Sequence, residues 1–176
     1  MNASSLELLR LQGKPGGAAR VASAAEQHVP VPELSTDEDE CMAFGYLRGI
    51  RDQAFSLELR FANGESQAFP YHWLGPVHYR PSAGLLLRFV GDQVFLVLLE
   101  GSNLNALVNN AVSLYDRGIL RRRVTWVREM TRQELGKAGQ GEVTIERIRT
   151  LSHRSDEAPK GVEWLEAFGS LSSGTR

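Results

Sequence analysis

Between residues 85 and 99 eleven of fifteen positions are apolar, at odd and even numbers alike: Leu85, Leu87 and Phe89 alternate with Leu86 and Val90, and Val94, Leu96 and Leu98 with Phe95, Val97 and Leu99. Gly91-Asp92 splits this run into two strand-length halves, which reads as a hairpin whose two faces both require cover. A chain holding such a hairpin must therefore build a layered, β-rich domain around it. With a two-residue loop, Leu85, Leu87 and Phe89 would face Leu98, Leu96 and Val94. Gly followed by Asp suits a type II′ turn with positive φ at Gly91.

A second hairpin is legible from alternation. Phe55, Leu57, Leu59 and Phe61 are interleaved with Ser56, Glu58 and Arg60, the period of a half-buried strand, and Asn63-Gly64 follows at once. Parity selects the loop: only three residues, 62–64, put Leu57 opposite Phe69 and Phe55 opposite Tyr71 on a shared face, with Gly64 left-handed in a G1 bulge. Residues 42–50 and 124–129 read as further strands. Leu104, Leu107, Val108, Ala111, Val112 and Tyr115 recur at helical spacing, capped by Ser102 or Asn103 and ended by Gly118, so an amphipathic helix is expected to cover the apolar hairpin. Thr131 and Glu134 have the spacing of a capping box for a short helix. The expected fold is α+β: a mainly antiparallel β meander, a small barrel or curved sheet, with one covering helix and flexible tails.

Charge divides the chain into three. Residues 1–41 carry three basic against seven acidic side chains and no aromatic residue. Such a segment has little apolar surface to offset its ordering entropy and reads as a disordered acidic tail. Residues 42–135 form the β-rich core domain, with eleven arginines against eight acids. Residues 136–176 read as a linker and short helical segments. The overall net charge of −1 excludes a globally basic nucleic-acid binder, leaving only a local patch. No run approaches the roughly 18 apolar residues of a membrane span, so no membrane association is expected. The single cysteine, Cys41, excludes an internal disulfide framework and suits a reducing compartment, giving a cytoplasmic expectation.

Three groups of residues bear on function. Tyr71, His72 and Trp73 form the densest aromatic and imidazole cluster; stacked rings could receive a base, and two histidines alone lack the third ligand a metal site needs. A corner of the core is the alternative reading. Arg121, Arg122 and Arg123 lead into Trp126 and Arg128, and basic groups interleaved with an aromatic suit phosphate and base contacts or a protein partner; the alternative is solvated arginines, or pairing with the acids at 37–40. Val162, Leu165 and Phe168, with Trp164 beside them, share the face of a short helix that must dock on its own domain or on a partner. No nucleophile elbow, phosphate loop, dinucleotide fingerprint or metal-ligand spacing occurs, so no catalytic residue, metal or cofactor is assigned.

The alternating strand ending at Asn63-Gly64, together with Val90-Gly91-Asp92-Gln93-Val94, resembles the two motifs of the Sm-like small β-barrel proteins. That resemblance implies a ring-forming barrel that binds RNA, with Tyr71, His72 and Asp92 near the motif positions. The residues themselves point first to a non-catalytic protein-interaction or self-assembly domain. Homo-oligomerisation is expected because one helix must otherwise cover a wide apolar face, and a protein partner is the related alternative. RNA or single-stranded DNA binding through the basic and aromatic residues is the second expectation.

Overall fold

The computed structural model describes residues 38–154, which form two sheets around a shared core. The first has strand order β1-β2-β8-β3-β4, comprising β1 (Glu38–Glu40), β2 (Phe44–Leu47), β8 (Val124–Arg128), β3 (Ser56–Arg60) and β4 (Ser66–Pro70). The second has the order β5-β6-β7-β9: β5 (Leu74–Arg80), β6 (Gly84–Val90), β7 (Gln93–Glu100) and β9 (Arg147–Arg154). All pairs are antiparallel except β3 with β8, which run parallel. The fold is thus β-rich and mainly antiparallel, as expected, but the strands make two open sheets and no closed barrel. It is also not a plain meander, because β8 inserts between β2 and β3. Among the described residues, no helix is long and apolar enough to cross a membrane.

The inner faces meet through apolar side chains of both sheets, including Leu57, Leu59 and Val127 from one and Leu85, Leu87, Phe89, Val97 and Leu99 from the other. Phe69 joins them, stacking on Phe89 at a centroid distance of 4.6 Å and meeting Phe95 edge-on at 5.3 Å. These offset and edge-on contacts suit the ring quadrupole and add to the area buried.

The β3–β4 hairpin has the expected register, Leu57 opposite Phe69, and Gly64 takes φ 87°. The backbone N–H of Gly64 donates to the Phe61 carbonyl at 3.0 Å, and that of Glu65 to the Asn63 side chain at 3.0 Å. The β6–β7 hairpin differs from expectation by one residue: Leu85 pairs with Leu99 and Val90 with Val94, so the loop has three residues, and Gly91 is not among the glycines of positive φ. A strand apolar on both faces pairs acceptably in either parity, so alternation carried no information about register. Gly91 serves another purpose, since a Cβ there would lie 3.0 Å from the ring of Trp73.

The covering helix expected over 104–115 does not form. Asn103, Asn109 and Asn110 have φ of 57°, 50° and 55°, and two adjacent left-handed residues end any right-handed helix. Asn109 and Asn110 occupy the centre of a type I′ turn closed by Ala111 N–H to the Val108 carbonyl at 2.9 Å, with Val108 and Val112 bridged across it. Leu104, Val112 and Leu114 still reach the core, but Leu107 and Ala111 of the supposed apolar stripe are exposed. The capping box does form: Thr131 Oγ1 accepts from the Glu134 backbone, the Glu134 carboxylate accepts from the Thr131 N–H at 2.8 Å, and α1 (Arg132–Leu135) follows.

Both boundaries of the expected core move outward. Glu38–Glu40, assigned to the tail, is edge strand β1, and 147–154, assigned to the linker, is edge strand β9. Within the acidic run Asp39 pairs with Arg48, whose Nη2 donates to it at 2.7 Å, a hydrogen bond that holds its carboxyl below the usual range, and Glu38 accepts from Thr125 Oγ1; no ion pair to Arg121–Arg123 occurs among the described residues. Charged side chains on an edge strand also discourage sheet-to-sheet association there.

Candidate functional site at the arginine-rich loop face

The loop joining β2 to β3 lies beside the turn that precedes β8, and sequence-local chemistry shapes that turn. Ser113 Oγ accepts the Arg117 N–H at 3.1 Å, capping a single wide turn over Leu114–Gly118. A Cβ at Gly118 would collide with the Ser113 carbonyl and lie 2.7 Å from Val124, so only glycine lets the chain close there. A 3-10 turn, Ile119–Arg121, follows and ends at Arg122, whose φ is 56°.

Arg123 ties the two loops together. Its guanidinium is buried and donates to the Leu47 carbonyl at 3.1 and 2.8 Å and to the Arg48 carbonyl at 2.8 Å. Backbone bonds add to this, Leu47 N–H to the Arg123 carbonyl at 2.8 Å and Ala54 N–H to the Arg122 carbonyl at 2.7 Å. The loop is thus anchored at its start by a fixed charge and at its end by a ladder-like bond.

What this frame presents is apolar and basic together. Phe55 is 95% exposed, Ile50 80% and Leu120 47%; Arg117, Arg121 and Arg122 on the neighbouring turn are exposed as well. None of these three arginines has an ion-pair partner among the described residues. Ile50, Ala111, Arg117, Arg121 and Arg123 line a recess of about 250 Å³ in this face.

The sequence-predicted residues divide between this face and the interior. Arg121 and Arg122 belong to the face, whereas Arg123 is its internal brace. Trp126 is buried, with Arg60 stacked 4.5 Å over its ring, and Arg128 is engaged by Glu134 at 2.9 Å and by the Met42 carbonyl at 2.7 Å. Tyr71 is a core residue: its hydroxyl donates to the Val124 carbonyl at 2.8 Å, and burial pushes the phenol pKa far up. It cannot serve as a stacking platform. His72 is exposed and Trp73 half-buried, the two rings edge-on at 6.0 Å, with Trp73 committed to Gly91. Val162, Trp164, Leu165 and Phe168 lie outside the described residues. Sequence reasoning missed Ile50, Phe55, Leu120 and Arg117; Phe55 fitted the strand alternation but stands one residue before β3 begins.

A second concavity, about 400 Å³, is lined by Cys41, Met42, Leu107, Val108, Asn109 and Glu142 among others. Burial raises the Cys41 thiol pKa, which opposes thiolate formation, and Glu142 is turned to the Gly139 N–H at 2.9 Å. Among the described residues no three His, Cys, Asp or Glu side chains converge as a metal site would require. Comparison with protein-family models, with curated proteins and with solved structures found no match for this chain.

Proposed function

We propose that the chain is a non-catalytic protein-interaction domain and that the face formed by Ile50, Phe55, Leu120, Arg117, Arg121 and Arg122 takes an acidic partner segment carrying apolar anchors. The observation that carries this reading is the exposure of three large apolar side chains, and of three arginines without an ion-pair partner among the described residues, on two loops that Arg123 ties together. Aromatic residues and arginine dominate the energetics of protein interfaces, and a fixed backbone lowers the ordering cost of binding. Single-stranded RNA would also use arginine and an aromatic ring, but Ile50 and Leu120 have no π-face to offer a base, which favours a protein ligand.

The test selects 12-residue peptides from a display library on the full chain and measures their affinity by fluorescence anisotropy. Acidic sequences with aromatic or aliphatic anchors are expected, weakened about 30-fold by Phe55→Ala, the equivalent of a ~2 kcal/mol hot spot. Arg121→Glu should weaken them further as salt is lowered. Selected peptides indifferent to both substitutions would overturn the proposal. Binding of oligouridylate that depends on Phe55 and falls steeply with salt would support the RNA reading instead. A concentration-dependent dimer abolished by Phe55→Ala would make a second copy the ligand.

A further inference from the structure

The recess in the loop face has a charge imbalance of its own. Of the five residues that line its volume of about 250 Å³, Arg117, Arg121 and Arg123 are cationic, Ile50 and Ala111 are apolar, and none is acidic. None of the three arginines forms an ion pair among the described residues. Like charges gathered around one concavity repel, and solvent screens them less there than on an open surface, so the arrangement favours an anion placed between them.

Arg123 is the innermost of the three, 5% exposed where Arg117 and Arg121 are open to solvent. Its Nε and Nη2 are committed to the Leu47 and Arg48 carbonyls. Nη1 has no hydrogen-bond partner among the described residues and is not sealed in the core, which leaves its N–H donors for the recess that Arg123 lines. The two carbonyls also fix the plane of the guanidinium, so those donors are held in place before any ligand arrives.

We propose that this recess seats a phosphorylated serine or threonine of the partner segment, with Arg123 Nη1 and the Arg117 and Arg121 side chains donating to the phosphoryl oxygens. The inference rests on the reading of the loop face as a peptide-binding surface and adds that the acid recognised there is a phosphate monoester. A phosphate monoester brings three acceptor oxygens and nearly two negative charges, a closer match to three guanidinium groups than the single charge of an aspartate or glutamate. Ile50 and Ala111 put apolar surface beside the cations, which the carbon stem of a phosphorylated side chain covers and a free phosphate ion leaves bare. Arginine clusters are a recurrent means of reading phosphorylated motifs, and phosphorylation of the partner then becomes the switch that admits it to the face.

The experiment uses the full chain and fluorescence anisotropy with pools of 12-residue peptides, degenerate at every position except a central phosphoserine, aspartate or serine. The phosphoserine pool is expected to bind about tenfold more tightly than the aspartate pool, and Arg117→Gln and Arg121→Gln are each expected to remove most of that preference. Both side chains are exposed, so the substitutions leave the Arg123 brace in place. Phe55→Ala should weaken every pool by a common factor, since it removes an anchor and not a phosphate contact. Equal binding of the phosphoserine and aspartate pools, still weakened by Phe55→Ala, overturns the phosphate inference and leaves the interaction face standing. A phosphoserine preference that survives both arginine substitutions overturns it too, because the phosphate then sits elsewhere. If no pool binds, the face and the inference fall together; inorganic phosphate that still shifts the Ala111, Arg117 and Arg121 amide resonances would then assign the recess to a free anion, and oligouridylate binding that depends on Arg121 would assign it to nucleic acid.

Discussion

Tyr71 illustrates how much a single side chain's role depends on its neighbours. In sequence it stands with His72 and Trp73 between two prolines, a setting equally suited to a ligand platform and to a core corner; in the fold its ring is enclosed and its hydroxyl bonds the Val124 carbonyl, linking the end of β4 to β8. Tyr71→Phe should therefore lower stability by about 1 kcal/mol, read as a reduced urea midpoint at unchanged slope. An unchanged midpoint would mean that the hydroxyl contributes nothing. Glu134 behaves oppositely, being identifiable from spacing alone. Its carboxylate accepts the Thr131 N–H and pairs with Arg128, and these hydrogen bonds lower its pKa from 4.5 to about 2. Because the folded pKa lies below the unfolded one, the stabilisation is present above pH 4.5 and is lost as pH falls toward 2. A carboxyl chemical-shift titration should place the Glu134 midpoint well below that of an ordinary glutamate, and Thr131→Ala should bring it upward.

At the scale of elements, those defined by local chemistry agree with their sequence signatures and those defined by packing do not. The Asn63-Gly64 hairpin and the Thr131/Glu134 cap each carry their own hydrogen-bonding groups within a few residues. The 104–115 segment has helical periodicity in its apolar residues, but the paired asparagines at 109 and 110 accept left-handed φ and the chain turns back on itself there. Substitution at Asn110 separates the two conformations by sign. In the observed turn Asn110→Ala should cost about 1 kcal/mol and Asn110→Gly should cost nothing or stabilise, whereas a helix would prefer alanine over glycine by about the same amount. Thermal denaturation of the two variants reads the order directly.

For the whole molecule, the path of the chain matters more than any one strand. After β5, β6 and β7 build the second sheet, β8 returns to the first and β9 goes back to the second, so the two sheets are stitched together. Glu129, just after β8, reinforces the stitch by accepting the Ala62 N–H at 2.7 Å from the first sheet's hairpin and the Ile148 N–H at 2.6 Å from β9. Glu129→Ala leaves two donors without their carboxylate and should cost about 2 kcal/mol. Both sheets should unfold together in wild type and variant alike, with Leu57 and Leu96 methyl resonances reporting one transition. Separate midpoints for the two sheets would show that the shared core does not make them cooperative.

The sequence alone determined that the chain is β-rich, where its first full hairpin pairs and turns, and that Thr131 caps a helix, because alternation, a left-handed glycine and a capping box act over only a few residues. It also drew attention to Arg121 and Arg122. Tertiary structure decided the rest: the register of a hairpin apolar on both faces, the parallel insertion of β8, and the burial of Tyr71, Arg123 and Trp126. It alone brought Ile50 beside Arg117 and Arg121. Residues some 70 positions apart become neighbours only through strand order, and neither periodicity nor propensity encodes strand order in any local stretch of chain.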